Sequence, residues 1–219
     1  NPPYIKESVN KRAFNNLHSH PIYQGKMDLW YFFGYLGLEL TKRDKSYIGF
    51  IAPNNWITND GASKFRNYFL ENGKLVDYVD FGDFKVFEDA GIQTMIYIMK
   101  SSNENSNYTF PYSKLLYGKS SSNDVKLFLN KSINKRFEFF NTKINKDEFY
   151  GGYIHFHNQS VSDLLNKISK KYDTKIKNTE VYSGIDIGQD FVNKKSKEKL
   201  GDSVKIGDGV FNLSNTEKE

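Results

Sequence analysis

The chain of 219 residues contains no cysteine, five prolines and two tryptophans. Without cysteine a disulfide framework is excluded. No apolar run approaches the roughly 20 residues that span a bilayer. Nor is there a signal-peptide h-region, because Asn1 is followed by prolines and charge. A soluble, cytoplasmic protein with no membrane partner is the expectation. No internal repeat is present, and no Ser-His-Asp ordering, paired catalytic carboxylates or nuclease-like Asp-Glu-Lys cluster stands out. Two close histidine pairs, His18 with His20 and His155 with His157, lack the cysteine or acidic cluster that would complete a tetrahedral site, so no metal is expected.

What the chain does have is aromatic residues, with 18 Phe and 15 Tyr in a composition that is 38% hydrophobic. That argues for a packed, aromatic-rich core rather than disorder. The length suits one domain, or one domain and part of another. The net charge of +5 favours polyanionic partners only weakly, and its placement says more. Between Asn166 and Lys199 nine lysines stand against five acidic residues, which fits either a solvated helix face or a surface that tracks phosphates.

Apolar spacing predicts a helix over 28–40 with Leu29, Phe32, Phe33, Leu36 and Leu40 inward. A buried strand follows in SYIGFIAP, and then a helix over 61–72 with Phe65, Tyr68, Phe69 and Leu70 inside. KLVDYVDFG and IQTMIYIMK read as two more strands, joined by a connection too short for a crossover helix and therefore antiparallel neighbours. This order belongs to an open α/β sheet with one reversed strand near its edge. Residues 108–117 suit a further strand, SSSND and NKSINKR a linker zone, and 161–172 an amphipathic helix with Val161, Leu164, Leu165 and Ile168 inward. A second unit is expected to begin between about Asn123 and Asp147.

The first four residues, Asn1-Pro2-Pro3-Tyr4, raise a chemical question. Two prolines hold the chain extended and aim the Asn1 side chain and the Pro2 carbonyl in set directions. Such acceptors suit an exocyclic amine whose lone pair is delocalised into a ring. By binding its hydrogens they draw the nitrogen toward tetrahedral geometry and stabilise the positive charge that grows during attack. Tyr4 adds a face on which a base can stack. The amine is unreachable inside a duplex, so the base must be flipped out. An ordinary turn is the alternative for these four residues.

NPPY resembles the catalytic motif of N6-adenine DNA methyltransferases. DLWYFFGYLGLEL, GFIAPNNWITNDGASKFRNYFLEN and FKVFEDAGIQTMIYIM resemble, in order, the following motifs of their gamma class, including the methylase parts of combined restriction-modification enzymes. The resemblance covers most of residues 1–100. It implies the C-terminal part of a Rossmann-like methyltransferase sheet, doubly wound with one reversed strand, over residues 1–122. Residues 123–219 would then be a linker and the start of a target-recognition domain, with double-stranded DNA as partner and S-adenosylmethionine as methyl donor. It further implies Asn1, Pro2, Pro3 and Tyr4 as catalytic residues and Phe87, with Phe84 as competitor, as the contact to the flipped adenine. Asn54, Asn55 and Trp56 would line the site at a strand's C-terminal end, where open α/β sheets bind ligands. LLNKISKKYDTKI and VYSGIDIGQDFV resemble the entry to the recognition domain, where a Gly-rich segment follows a short helix and Lys170, Lys171, Lys194 and Lys195 would hold DNA phosphates; an ordinary turn is the alternative for Gly184 and Gly188.

In that family the glycine-rich cofactor loop precedes NPPY. The glycines of FGYLGLEL and KIGDGVF lack the strand-turn-helix context such a loop needs. The chain is therefore expected to be the C-terminal portion of a longer enzyme or half of a split one, needing its N-terminal half in cis or from a partner chain, and inactive alone. Two other functions remain: a protein glutamine-N5 methyltransferase, whose planar amide poses the same chemical problem, and a non-catalytic DNA-binding or specificity module.

Overall fold

The structure, a computed structural model, describes residues 1–87, 91–116, 118–172 and 191–209. They fall in two compact units, Asn1–Ile168 and Ser169–Glu219.

In the first unit α1 (Trp30–Leu40), β1 (Ile48–Pro53), α2 (Ser63–Asn72), β2 (Gly73–Asp80) and β3 (Thr94–Ser101) follow in the expected order. They are followed by β4 (Tyr108–Leu115), α3 (Ser122–Leu129), β5 (Phe137–Ile144), the single turn α4 (Lys146–Phe149) and α5 (Gln159–Lys171). The five strands form one mixed sheet in the order β1-β3-β2-β4-β5, so the fold class is α/β. β2 and β3 are antiparallel neighbours, with Tyr78 opposite Tyr97 and Val79 opposite Ile96, as their short connection requires. β3 is the reversed strand and is inserted between β1 and β2. A second strand, β5, is reversed against β4 at the far edge.

Alternation along β3 divides the core. Met95, Tyr97 and Met99 face a cluster that includes Trp30, Trp56, Phe65 and Phe69. Ile96 faces the opposite side, where Phe81, Leu115, Phe128 and Phe137 are buried. The helix expected over 28–40 forms, but its inward face differs. Trp30, Tyr31, Phe32, Gly34 and Leu38 are buried, while Phe33, Leu36 and Leu40 are exposed. The largest aromatic rings set the rotation of the helix, and Gly34 permits it, since a Cβ there would lie 2.6 Å from the Phe65 ring. In α2 the inward residues Phe65, Phe69 and Leu70 are as expected.

The polar stretch read as a linker zone is a helix start. Ser121 and Asp124 form a capping box, with the Ser121 hydroxyl accepting from the Asp124 amide at 3.2 Å, and α3 then packs Phe128 against Phe81. Ser and Asp clusters begin helices as readily as they fill loops. β5 lies beyond the division expected at residue 122, yet it pairs with β4 over eight positions. The compact unit accordingly continues to Ile168.

α5 forms where a helix was expected, but none of its residues is buried. Val161, Leu164, Leu165 and Ile168 are 38–57% exposed, which corrects their inward assignment: apolar spacing defines a face, not a partner for it. In the second unit α6 (Lys194–Leu200) begins at a capping box formed by Asn193 and Ser196. No described helix is long and apolar enough to cross a membrane.

Candidate active site

The tetrapeptide lies against the edge strand β1. Pro2 is buried, Asn1 and Pro3 are exposed and Tyr4 is half-buried. The Tyr4 hydroxyl donates to the carbonyl oxygen of Ile51 at 2.7 Å, so a backbone acceptor of β1 fixes the ring. Burial, and after it the negative charge of Asp28, pushes the Tyr4 pKa up to about 12. The hydroxyl therefore remains a donor across the neutral range. The ring of Phe87 stands 6.2 Å from that of Tyr4, tilted by 57°. Two aromatic residues 83 positions apart are thus brought together.

A short antiparallel clamp holds the exit of the tetrapeptide. Leu29 N–H donates to the Ile5 carbonyl and Glu7 N–H to the Met27 carbonyl, both at 2.9 Å, with Lys6 opposite Asp28. Asp28 is only 5% exposed, and its carboxylate accepts from the Trp30 amide at 3.4 Å at the start of α1. Burial raises the Asp28 pKa, opposed by backbone hydrogen bonds and by Lys6. Asp28 was not singled out in the sequence; the available signal was its place as an acidic residue just ahead of an apolar helical run.

The three residues after β1 separate. The Asn54 side chain donates to Asp80 Oδ1 at 3.1 Å across the sheet, and the Tyr112 hydroxyl donates to Asp80 Oδ2 at 3.1 Å. Asn55 is exposed. Trp56 is fully buried, with its ring against Phe65 and Phe69; this corrects its expected place as a lining residue, because the indole serves as a core filler. Arg66 was also missed. It lies buried on α2 and donates to the Trp56 carbonyl at 2.7 Å, the Asn59 carbonyl at 2.5 Å and the Gly152 carbonyl at 3.0 Å. It satisfies loop carbonyls that would otherwise be stranded.

Beside the tetrapeptide opens a cleft of about 430 Å³ lined by Lys6, Ser8, Lys26, Met27, Asp28, Asn55 and Asn59. Of these only Asn55 was anticipated. Lys170 and Lys171 end α5, and Lys194 and Lys195 open α6; all four are exposed and belong to the second unit. Gly184 and Gly188 lie outside the described residues.

Of the glycines considered for a cofactor loop, those of FGYLGLEL do not fit one. Gly34 and Gly37 sit inside α1, where a Cβ would meet Phe65 at 2.6 Å and Ile48 at 3.1 Å, so they are packing positions. Gly207 has open space around it.

Residues 1–87 match the family model of the Eco57I restriction-modification methylase. The resemblance to restriction-modification methylases drawn from NPPY and the motifs after it is thus met by an independent match over the same stretch. Two curated relatives agree. The type II methyltransferase M.BanIII of Aneurinibacillus aneurinilyticus is 27% identical over 112 residues, covering 51% of this chain and 19% of the relative. The type II restriction enzyme and methyltransferase RM.Eco57I of Escherichia coli is 27% identical over 118 residues, covering 50% of this chain and 11% of the relative. The chain spans less than a fifth of the length of either. Among solved structures, a modification subunit of a putative type I restriction enzyme from Vibrio vulnificus aligns over 75% of this chain and 38% of its own, with a TM-score of 0.46 and 13% identity.

Proposed function

We propose that this chain is part of a site-specific DNA methyltransferase of a restriction-modification system, of the gamma class, that transfers a methyl group from S-adenosylmethionine to the N6 nitrogen of a flipped adenine. The observation that carries this reading is the tetrapeptide Asn1-Pro2-Pro3-Tyr4 held on β1 by the Tyr4 hydroxyl, with Phe87 facing it, in a segment matched by a methylase family.

The residues act on the acceptor. Asn1 Oδ1 and the Pro2 carbonyl oxygen accept the two hydrogens of the adenine amine, which localises the nitrogen lone pair and offsets the positive charge of the transition state. Pro3 keeps those acceptors in their extended geometry. Tyr4 and Phe87 contact the faces of the extrahelical base, and stacking of this kind contributes about 1–3 kcal/mol. Neutral Tyr4, held so by burial, keeps its ring in place. S-adenosylmethionine would supply the methyl group. In this reading Asn54 and Asn55 border the site, the lysines of α5 and α6 contact DNA phosphates as part of a recognition domain, and the protein works in the cytoplasm.

The test is transfer of labelled methyl groups from S-adenosylmethionine to duplex DNA, by the chain alone and by the chain joined to whatever its gene encodes ahead of Asn1, each with and without Asn1→Ala. N6-methyladenine that disappears with Asn1→Ala is the expected result. Methylation of protein glutamine alone, or no methylation in any form, overturns the reading in favour of the glutamine enzyme or the silent DNA-binding module.

A further inference from the structure

The cleft next to the tetrapeptide has a chemistry that the acceptor geometry does not use. Its lining offers two ammonium groups, Lys6 and Lys26, a hydroxyl, Ser8, and two side-chain amides, Asn55 and Asn59. The one acid among them, Asp28, is buried and engaged with the Trp30 amide. Among the described residues neither Lys6 nor Lys26 has an ion-pair partner. A cleft with this many donors, two of them charged, is complementary to an anion with several acceptor oxygens. No aromatic ring lines it, so it offers no face for stacking a second base.

The backbone supports the same conclusion. Gly25 and Lys26 both lie in the left-handed region, at φ 85° and 52°. The Lys26 carbonyl is pressed so close to Gly61 that a Cβ there would lie 2.0 Å from its oxygen. A left-handed conformation costs a lysine about 1–2 kcal/mol and a glycine almost nothing. The fold therefore tolerates a strained residue at a point where glycine would relieve it, and the result is a cation at the rim of the cleft. Strain of this kind gathers at ligand clamps. Lys6 lines the same cleft, two residues after Tyr4 and opposite Asp28 in the short antiparallel clamp.

We propose that this cleft seats a backbone phosphate of the DNA strand that carries the target base, with Lys6 and Lys26 as its charged contacts. The proposal rests on the methyltransferase reading, because Lys6 follows by two residues the Tyr4 that this reading places against the target base. Ser8 and Asn55 supply neutral hydrogen bonds to the same oxygens. Phosphate contacts of this type position a strand without reading its sequence.

The experiment measures binding of a fluorescently labelled DNA duplex to the 219-residue chain as a function of salt, without cofactor. The slope of log K against log salt reports the number of phosphates neutralised, changing by about 1 for each contact removed. Lys6→Gln and Lys26→Gln should each make the slope shallower by about 1, and the double variant by about 2, equally for duplexes of unrelated sequence. Lys26→Gly retains the left-handed turn and removes the cation, so the same loss there with a melting temperature no lower than the parent's excludes a misfolded loop. Lys135→Gln removes an equal charge outside the cleft and serves as the reference. A change at Lys6 and Lys26 no larger than at Lys135 overturns the proposal. If the slope instead responds only to Lys194→Gln and Lys195→Gln, the cleft fails while the DNA reading stands. If the parent chain binds no duplex, the cleft proposal fails, while the methyltransferase reading is decided by the labelled-methyl test.

Discussion

The first unit and the second are stabilised in different ways. In Asn1–Ile168 the elements bury rings against rings: Trp30, Trp56, Phe65, Phe69 and Tyr97 are all fully enclosed. In Ser169–Glu219 the described residues bury one apolar side chain, Val192, and α6 rests on its capping box and a short bridge between Phe191 and Gly209. A seven-residue helix rich in lysine gains little from propensity alone. The difference is that between a unit whose geometry is enforced by packing, able to hold acceptors in fixed positions, and one whose local structure is enforced by hydrogen bonds at the ends of its elements. Catalytic positioning needs the first; a surface that tracks phosphates can be built on the second.

Substitutions in each unit sharpen that contrast, the largest effect coming from the core. Trp56→Ala should destabilise the first unit by about 3–5 kcal/mol in urea unfolding, as for a large buried aromatic. A loss below about 1 kcal/mol would mean that the indole is a site residue after all. Gly34→Ala should cost about 1–3 kcal/mol by overpacking against Phe65, measured in the same way. Asn193→Ala, which removes the cap of α6, should cost about 1 kcal/mol, visible as faster amide exchange in α6 with no shift in the unfolding of the first unit. A shift in both would join the two units into one cooperative block.

The Tyr4 contact gives a smaller effect with a pH signature. Its folded pKa of about 12 lies above the usual tyrosine value of 10.0, so the folded state retains a proton that the unfolded chain releases. The stabilisation is fully present below pH 10.0 and declines as pH rises from 10.0 toward about 12. Tyr4→Phe should cost about 0.5–1.5 kcal/mol at neutral pH, for the lost bond to Ile51, and should flatten this part of the alkaline decline in thermal melts. An identical decline in both proteins would refute the assignment. Smallest of all, Leu164→Gln on the exposed face of α5 should change stability by no more than about 0.5 kcal/mol. A larger loss would reveal a packing partner for that face.

Much of the sheet was legible because strands and helices have different apolar periods, and because the connection between β2 and β3 is too short for a crossover. The rotation of α1 was not legible. Leu29, Phe33 and Leu36 fit a helical stripe as well as Trp30, Tyr31 and Gly34 do, and only the presence of Phe65 opposite decides between them. The start of α3 was misread for a related reason, since Ser121 and Asp124 use the same side chains for a cap that other sequences use for a loop. At the candidate site the tetrapeptide and Phe87 could be named from the sequence, but the cleft could not. Lys6, Lys26 and the loop carrying Asn55 and Asn59 come from three separate segments, and nothing local marks those segments as neighbours.

By itself the sequence determined the order of the elements from α1 to β3 and the antiparallel pair, and it marked Asn1-Pro2-Pro3-Tyr4 as the candidate motif, because these depend on local stereochemistry and short-range spacing. The tertiary structure alone decided which aromatic residues became core, placed Trp56 inside, set Asp28 behind Tyr4 and gathered two lysines at one cleft. Those outcomes depend on how large side chains fill a shared volume, and that is settled only when all the elements pack at once.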